Sequence, residues 1–117
     1  MGMKCVALDL DGTTLDRQGK LSPENRRVIE SAIERGVHVV IASGRSYDTL
    51  PQKVLSIPGI EWAITCNGAV YQVPEGAVRC RHTMTPASIE TIFQVAARER
   101  ATYEAFVEGV AYADQKM

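Results

Sequence analysis

Short apolar runs alternate with longer mixed stretches along the first half of the chain. The apolar runs at 4–10, 37–42 and 62–66 predict buried β-strands. The stretches between them, at 22–36 and 46–57, predict helices. Because strands and helices alternate in order, the sequence predicts an α/β fold with a parallel sheet and right-handed crossovers.

The first predicted helix has clear signals at both ends. Residues 11–21 are polar and predict a loop or small hairpin, after which Ser22 is a good N-cap. Pro23 suits the first helical position, and Gly36 predicts the end of the helix. The side of this helix that we expect to face the core consists of Val28, Ile29, Ala32 and Ile33.

After Asn67 the pattern of the sequence changes. Runs of β-forming residues at 70–73 and 78–82 flank Pro74-Glu75-Gly76 and predict a hairpin. A helix is then predicted over 85–100, opened by a Thr-Pro pair. Its apolar side consists of Ile89, Ile92, Phe93, Val95 and Ala96.

A second hairpin is predicted near the end of the chain. The runs at 103–107 and 110–113 flank Glu108-Gly109, a typical turn composition. We place a domain boundary near residue 82, where the alternation of strands and helices has ended. The prediction is therefore one α/β domain over 1–82 and the start of a second over 83–117.

The composition is that of an ordinary globular domain and argues against several functions. Hydrophobic residues make up 45% and charged residues 23% of the 117 residues. Thirteen Lys and Arg against fourteen Asp and Glu give a net charge of −1. Such a chain has no broad basic face for nucleic acid and no polybasic membrane anchor. It also lacks the run of about 20 apolar residues that a membrane-spanning helix needs.

The cysteines indicate a reducing environment. Cys5, Cys66 and Cys80 are odd in number and have no pair spacing, which predicts free thiols and a cytoplasmic protein. Cys5 and Cys66 lie in predicted strands, so we expect both to be buried. Cys80 and His82 are only two residues apart, but the remaining ligands of a zinc site are missing.

Polar or small residues follow each of the three predicted parallel strands. They are Asp9-Leu10-Asp11-Gly12-Thr13, Ser43-Gly44-Arg45 and Asn67-Gly68. In an open parallel sheet, ligands bind in the crevice outside the carboxyl ends of the strands. We therefore expect these three turns to converge on one site.

The first of these turns carries two acids that we expect on the same side of an extended backbone. The repulsion between Asp9 and Asp11 can be offset by a hard cation such as Mg²⁺, or by one acid remaining protonated. A site that transfers phosphate could use both, with a charged nucleophile and a nearby proton donor. Gly12 allows a sharp turn, and Thr13 can donate hydrogen bonds to a neighbouring acid.

The other two turns offer groups that bind phosphate. Ser43 has a small hydroxyl group, and Gly44 leaves a backbone N–H exposed at the entrance to the next helix. For Arg45 we favour a charge at the edge of the cleft over a catalytic group. The candidate phosphate-binding residues are Gly12, Thr13, Ser43, Gly44, Arg45 and Asn67.

The ordered set of turns resembles the haloacid dehalogenase superfamily, and within it the Cof-type sugar phosphatases. The resemblance lies in Asp-Leu-Asp-Gly-Thr-Thr-Leu-Asp at 9–16, Ser-Gly-Arg at 43–45 and Cys-Asn-Gly-Ala at 66–69. It covers about residues 3–85. Ser-Gly-Arg alone is a weak signal, whereas Asp-x-Asp-Gly-Thr directly after an N-terminal strand is specific.

The resemblance implies a Mg²⁺-dependent phosphatase of small phosphorylated metabolites. Asp9 would be the nucleophile that forms an aspartyl-phosphate, and Asp11 the general acid and then the base. Mg²⁺ would bind the Asp9 carboxylate and the Asp11 backbone carbonyl, and Ser43 would hold a phosphoryl oxygen. The fold implied is the Rossmann-like core of this superfamily, followed by the start of an α/β cap at 83–117. Sugar phosphates are the default substrates, with pyridoxal phosphate, nucleotides and phosphoglycerate derivatives also open.

The chain departs from the family after the cap begins. Family members carry a lysine after the cap and a later acidic motif, and neither Lys53 nor Lys116 matches that lysine by order. The resemblance therefore predicts the N-terminal part of a phosphatase, for which activity of the isolated 117 residues stays an open question, with an exposed sheet edge that favours self-association. One alternative is a non-catalytic fragment. Another is a phosphate-accepting signalling module, which the Cys66-Asn67 pair disfavours because such modules place an Asp after the third strand.

Overall fold

The computed structural model describes residues 2–72 and 77–113, apart from the side chain of Cys80. Its larger part is a five-stranded sheet whose strands lie in the order in which they occur along the chain. β1, β2 and β3 run parallel, and β4 and β5 extend the sheet in antiparallel pairs. The predicted α/β class is confirmed. The strands are β1 (Cys5–Leu8), β2 (His38–Ala42), β3 (Ile60–Thr65), β4 (Val70–Gln72) and β5 (Val78–Arg81).

Helices and a separate hairpin make up the other regular elements of the described residues. The helices are α1 (Pro23–Glu34), α2 (Gln52–Leu55) and α3 (Pro86–Glu99), and the hairpin strands are β6 (Glu104–Val107) and β7 (Val110–Ala113). β6 and β7 pair antiparallel, as the sequence predicts. Within residues 2–72 and 77–113, no helix is long and apolar enough to cross a membrane.

The ends of the strands differ from the prediction. β1 ends at Leu8, because Leu10–Thr14 forms a tight turn closed by a 2.9 Å hydrogen bond from the Leu15 N–H to the Leu10 carbonyl. β2 begins one residue later than predicted, and β3 begins at Ile60 and ends before Cys66. The antiparallel pair of β4 and β5 is confirmed, while its predicted turn at 74–76 lies outside the described residues.

α1 begins as its sequence predicts, but one residue of its predicted core side faces solvent. The Ser22 side chain accepts a 3.0 Å hydrogen bond from the backbone N–H of Asn25, which satisfies a donor left free at the helix start. Ile29 is buried, whereas the prediction for Val28 is wrong, since its side chain is 62% exposed. Neighbouring helical residues lie about 100° apart around the axis, so the narrow buried side includes only one of the two.

The stretch 46–57 is not one helix, contrary to the prediction. Tyr47–Thr49 forms a single 3₁₀ turn, and only α2 is α-helical. The break lies at Pro51, whose ring disfavours the helical conformation of the preceding residue. Leu50 accordingly has an extended backbone, with φ −67° and ψ 137°. The break lets both Leu50 and Val54 turn into the core.

The hydrophobic core lies against the parallel strands. Val39 and Ile41 alternate along β2 with less buried residues, so one face of the sheet carries the tightest packing. Leu10 and Leu15 of the first turn belong to the same cluster, which anchors the turn that carries the two acids. The cluster comprises Leu10, Leu15, Ile29, Val39, Ile41, Leu50, Val54, Ile57, Ile60 and Ala63.

The later part of the chain leaves apolar surface uncovered. On the predicted apolar side of α3 only Ala96 is buried, and the other four side chains are 37–45% exposed. The Phe93 ring contacts Tyr103, with 4.9 Å between ring centroids, and so connects α3 to the start of β6. The accessible surface of 8325 Å² exceeds the roughly 6,300 Å² that a compact protein of 12.8 kDa exposes.

β1 forms one edge of the five-stranded sheet, with β2 as its one strand partner among the described residues. Cys5 of this edge strand is exposed, so the prediction of a buried thiol is wrong there. Cys66, directly after β3, is buried as expected. An open edge presents unpaired backbone N–H and C=O groups, on which the predicted self-association would depend.

Candidate active site

Three turns meet at the carboxyl edge of the parallel strands. Asp9 follows β1, Ser43 follows β2 and Cys66 follows β3. Backbone hydrogen bonds of 2.9 Å tie the last two together, from the Ser43 N–H to the Ile64 carbonyl and from the Cys66 N–H to the Arg45 carbonyl. Because the strands are parallel, their polar termini lie side by side at one end of the sheet.

Asp9 is held by the turn that follows it. The Thr13 hydroxyl donates a 2.8 Å hydrogen bond to Oδ2 of Asp9, and the Thr14 hydroxyl donates one of 2.6 Å to the Asp9 backbone carbonyl. Gly12 has φ 75°, a conformation that side chains with a Cβ rarely adopt, and it allows the chain to turn back. The turn therefore orients the Asp9 carboxylate and leaves it exposed to the cleft.

Gly44 and Asn67 fit closely against each other. A Cβ at Gly44 would lie 2.8 Å from Oδ1 of Asn67, so a larger residue there would require the Asn67 side chain to move. Asn67 has φ 55°, in the left-handed region that asparagine tolerates better than most residues. Ser43 is buried beside them and accepts a 3.1 Å hydrogen bond from the Arg45 N–H.

Asp11 and Arg45 form a bidentate ion pair. Nε of Arg45 donates to Oδ2 of Asp11 and Nη2 donates to Oδ1, both at 2.7 Å. Nη1 donates to the Thr49 carbonyl at 2.8 Å, so all three guanidinium nitrogens are engaged. Arg45 was predicted as a charge at the edge of the cleft, and the structure places it directly on the second acid of the motif.

The ion pair decides the charge state of Asp11 in this conformation. The two hydrogen bonds from Arg45 lower the pKa of the Asp11 carboxyl below its ordinary value, and burial opposes this in part. The same contact raises the pKa of Arg45. Asp11 is therefore ionised in this conformation. While Arg45 holds it, Asp11 accepts hydrogen bonds and is not the protonated acid that the sequence suggested as one possibility.

We expect Arg45→Met to raise the pKa of Asp11 towards its ordinary value. In the folded wild type this pKa is depressed, so the pair stabilises the fold above the unfolded-state pKa, and this is lost as pH falls through the folded-state pKa. The Asp11 carboxyl resonance, followed in a ¹³C titration, should show the higher midpoint. Arg27→Met, on the exposed side of α1, should leave that midpoint in place. Equal midpoints in all three proteins would contradict the assignment.

The convergent residues line a cleft of about 400 Å³. From the strand ends it contains Asp9, Asp11, Ser43, Gly44 and Arg45. Among the described residues, Gly12, Thr13 and Asn67 do not line this cleft, although Thr13 donates to Asp9 and Asn67 lies beside Gly44. The first two turns thus line one cleft, whereas Asn67 of the third turn does not line it and lies beside Gly44, which does.

Several residues of the cleft were not among the predicted site residues. Ser46 and Thr49 line it from the turn after β2, where Ser46 is 1% exposed and its hydroxyl lies 2.5 Å from a carboxylate oxygen of Asp48. The hairpin of β6 and β7 reaches the same cleft with Glu104, Phe106 and Ala111. The hairpin itself was predicted, but no local signal shows which distant surface its side chains will face.

The oxygen donors around the first turn fit a magnesium ion in part. One oxygen of Asp9 is held by Thr13, and the other accepts no hydrogen bond from a described residue. Arg45 occupies both side-chain oxygens of Asp11, so the Asp11 backbone carbonyl is its remaining donor. The described residues contain no group of three or more His, Cys, Asp and Glu side chains able to hold a metal. Carboxylate and carbonyl oxygens suit Mg²⁺, which commonly keeps several water or phosphate ligands.

Comparison with known proteins agrees with the geometry of this cleft. Residues 6–117 match the haloacid dehalogenase-like hydrolase family. The chain belongs to this family. The resemblance stated from its motifs is confirmed, and so is the Rossmann-like α/β core, of which only a part is present.

Individual relatives of this haloacid dehalogenase-like hydrolase include named phosphatases. Phosphatase YwpJ of Bacillus subtilis (strain 168) is 32% identical over 114 residues, which are 97% of this chain and 40% of that protein. A solved haloacid dehalogenase-like hydrolase from B. subtilis is 34% identical, with a TM-score of 0.79, over 97% of this chain and 40% of that one. A sugar phosphatase of haloacid dehalogenase subclass IIB shares the fold at 19% identity, with a TM-score of 0.83, over 95% and 44%. The chain spans about two fifths of the length of these relatives.

Proposed function

We propose that this chain carries the nucleophile and the phosphate-binding groups of a phosphatase that acts on small phosphorylated metabolites, with sugar phosphates as the favoured class. One observation carries the proposal. Asp9, Asp11, Ser43, Gly44 and Arg45 come from separate segments and line a single cleft at the carboxyl ends of parallel strands. Two carboxylates beside a hydroxyl, a glycine N–H and a guanidinium form a set suited to phosphoryl transfer.

In this proposal Asp9 attacks the phosphorus atom of a phosphate ester. A bond forms between a carboxylate oxygen of Asp9 and phosphorus, and the bond from phosphorus to the ester oxygen breaks. The leaving oxygen takes a proton from Asp11. Water then attacks the aspartyl-phosphate and gives its proton to Asp11, which restores the Asp9 carboxylate and releases inorganic phosphate. The Thr13 hydrogen bond supports this role, because it fixes the orientation of the attacking carboxylate.

The second strand end would bind the phosphoryl group. The Ser43 hydroxyl and the backbone N–H of Gly44 can donate to phosphoryl oxygens. Arg45 can reach the same oxygens once it leaves Asp11. A Mg²⁺ ion held by an Asp9 carboxylate oxygen and the Asp11 backbone carbonyl would neutralise negative charge on the phosphoryl group.

We extend the proposal to the organisation and setting of the chain. Residues 1–82 would form the partial core domain and 83–117 the start of the cap, within a longer protein whose remaining chain covers the exposed side of α3 and the edge of β1. The buried free thiol of Cys66 supports a cytoplasmic location. Neither nucleic acid nor membrane is a proposed partner, since the net charge is −1.

Hydrolysis of p-nitrophenyl phosphate by the purified 117-residue chain tests the proposed function. We expect Mg²⁺-dependent release of phosphate that excess EDTA stops, and, after acid quenching, the added mass of one phosphoryl group on the peptide that contains Asp9. A chain that shows neither turnover nor the modified peptide would instead be a non-catalytic fragment. A modified peptide without turnover would indicate that the second step needs groups supplied by a longer chain.

A further inference from the structure

One face of the hairpin formed by β6 and β7 is turned towards the catalytic cleft. Glu104 and Phe106 are two residues apart on β6, so their side chains lie on the same face, and both line the cleft with Asp9 and Asp11. Ala111 lies opposite Phe106 in the hairpin register and lines the cleft as well. The hairpin therefore supplies one acidic, one aromatic and one small side chain opposite the proposed phosphate-binding groups.

Two contacts hold the hairpin in this position. At its turn, the Glu108 carboxylate accepts a 2.7 Å hydrogen bond from Nη1 of Arg81, at the end of β5. At its start, the ring of Tyr103 packs against Phe93 of α3. These contacts lie at opposite ends of β6, so the strand that carries Glu104 is tied to the main sheet at one end and to α3 at the other.

The charges of the cleft are unevenly matched. Arg45 pairs with Asp11, and Asp9 is the group proposed to meet the phosphoryl group. Glu104 is exposed to the cleft, and no described Lys, Arg or His lies within ion-pair distance of it. Its negative charge also acts on the main sheet: burial chiefly raises the pKa of Cys66, and Asp48 and Glu104 add to this. Glu104 thus lies where this cleft borders a second cavity of about 540 Å³, which residues of the hairpin and of α3 line.

From this arrangement we propose that Glu104 determines specificity for the leaving group of the phosphate ester. It excludes esters whose leaving group carries a negative charge in addition to that of the phosphoryl group. It accepts a hydrogen bond from a leaving group that bears hydroxyl or ammonium donors. Phe106 provides an apolar surface for the carbon skeleton beside it. The inference rests on the proposed function, since it assumes that the phosphoryl group binds at the strand ends.

Binding measured without turnover tests this role. In the Asp9→Asn background with Mg²⁺, isothermal titration calorimetry would give Kd for ribose 5-phosphate, phosphoethanolamine and 3-phosphoglycerate, whose leaving groups are neutral, cationic and anionic. We expect Glu104→Gln to tighten the binding of 3-phosphoglycerate by about tenfold, because a like charge is removed from a partly desolvated cleft. Ribose 5-phosphate should change by less than about threefold, since glutamine still accepts a hydrogen bond. The binding of phosphoethanolamine should become weaker.

The matched control is Glu99→Gln, which removes a carboxylate at the end of α3, outside the residues that line the cleft. It should leave all three Kd values unchanged, and circular dichroism should show that both variants fold. The inference would be overturned if the three Kd values stood in the same ratios to one another in the Glu104→Gln and parent proteins. It would also be overturned if none of the three ligands bound. Discrimination by charge in a chain that hydrolyses nothing would instead leave the inference standing and count against the proposed activity.

Discussion

Replacing Asp9 with Asn is expected to lower Mg²⁺-dependent phosphate release by at least about a thousandfold, the loss typical when a nucleophile is removed from a covalent mechanism. The amide oxygen of Asn can still accept the hydrogen bond from Thr13, so the geometry of the turn should survive. An amide has neither the charge nor the basicity to form the bond to phosphorus. Steady-state release of p-nitrophenol from p-nitrophenyl phosphate, together with the mass of the acid-quenched protein, measures both turnover and modification.

Asp16→Asn provides the control for this substitution. Asp16 belongs to the loop that follows the same turn, and its Oδ1 accepts hydrogen bonds from the backbone N–H groups of Gln18 and Lys20. It does not line the described cleft, and an asparagine can preserve its contacts. Activity within about threefold of the wild type is expected, as for surface substitutions away from the site. Retention of full activity in Asp9→Asn would remove Asp9 from its proposed role.

Local chemistry explains why much of the core could be predicted from the sequence. The helix N-cap at Ser22 depends only on residues a few positions apart in the sequence. The strand predicted at 37–42 is indicated by its own apolar run. The convergence of the three turns follows from strand order, because parallel strands place their carboxyl ends at one edge. Pro51 shows the limit of periodicity, since a single ring divided a predicted helix into a 3₁₀ turn and a short α-helix.

Contacts between distant residues account for what could not be predicted. Arg45 lies 34 positions from Asp11, and its three donors find their acceptors only when β1 and β2 are paired. In the sequence Glu104 does not differ from other polar strand residues, and its position in the cleft depends on where the hairpin lies in the folded chain. The exposure of Ile92 and Phe93 is likewise invisible in a helical pattern, because periodicity identifies an apolar side without specifying what covers it.

Asp11→Asn is expected to slow turnover by about a hundredfold to ten-thousandfold, the range that general acid–base groups contribute. The size of the loss should depend on the leaving group. p-Nitrophenolate leaves readily without a proton, whereas the alkoxide of a sugar phosphate needs one, so ribose 5-phosphate should lose more activity than p-nitrophenyl phosphate. If hydrolysis of the aspartyl-phosphate becomes the slow step, the modified peptide that contains Asp9 should accumulate.

The ion pair between Asp11 and Arg45 leads to a further expectation for substitution of Arg45. Because Arg45 lowers the pKa of Asp11, the paired carboxyl is ionised and has no proton to donate. Donation requires the guanidinium to move from Asp11 to the phosphoryl oxygens, which lets the Asp11 pKa rise as the substrate binds. Arg45→Met should therefore weaken substrate binding, seen as a raised KM, while retaining more kcat than Asp11→Asn. Identical losses with p-nitrophenyl phosphate and ribose 5-phosphate in Asp11→Asn would show that Asp11 does not protonate the leaving group.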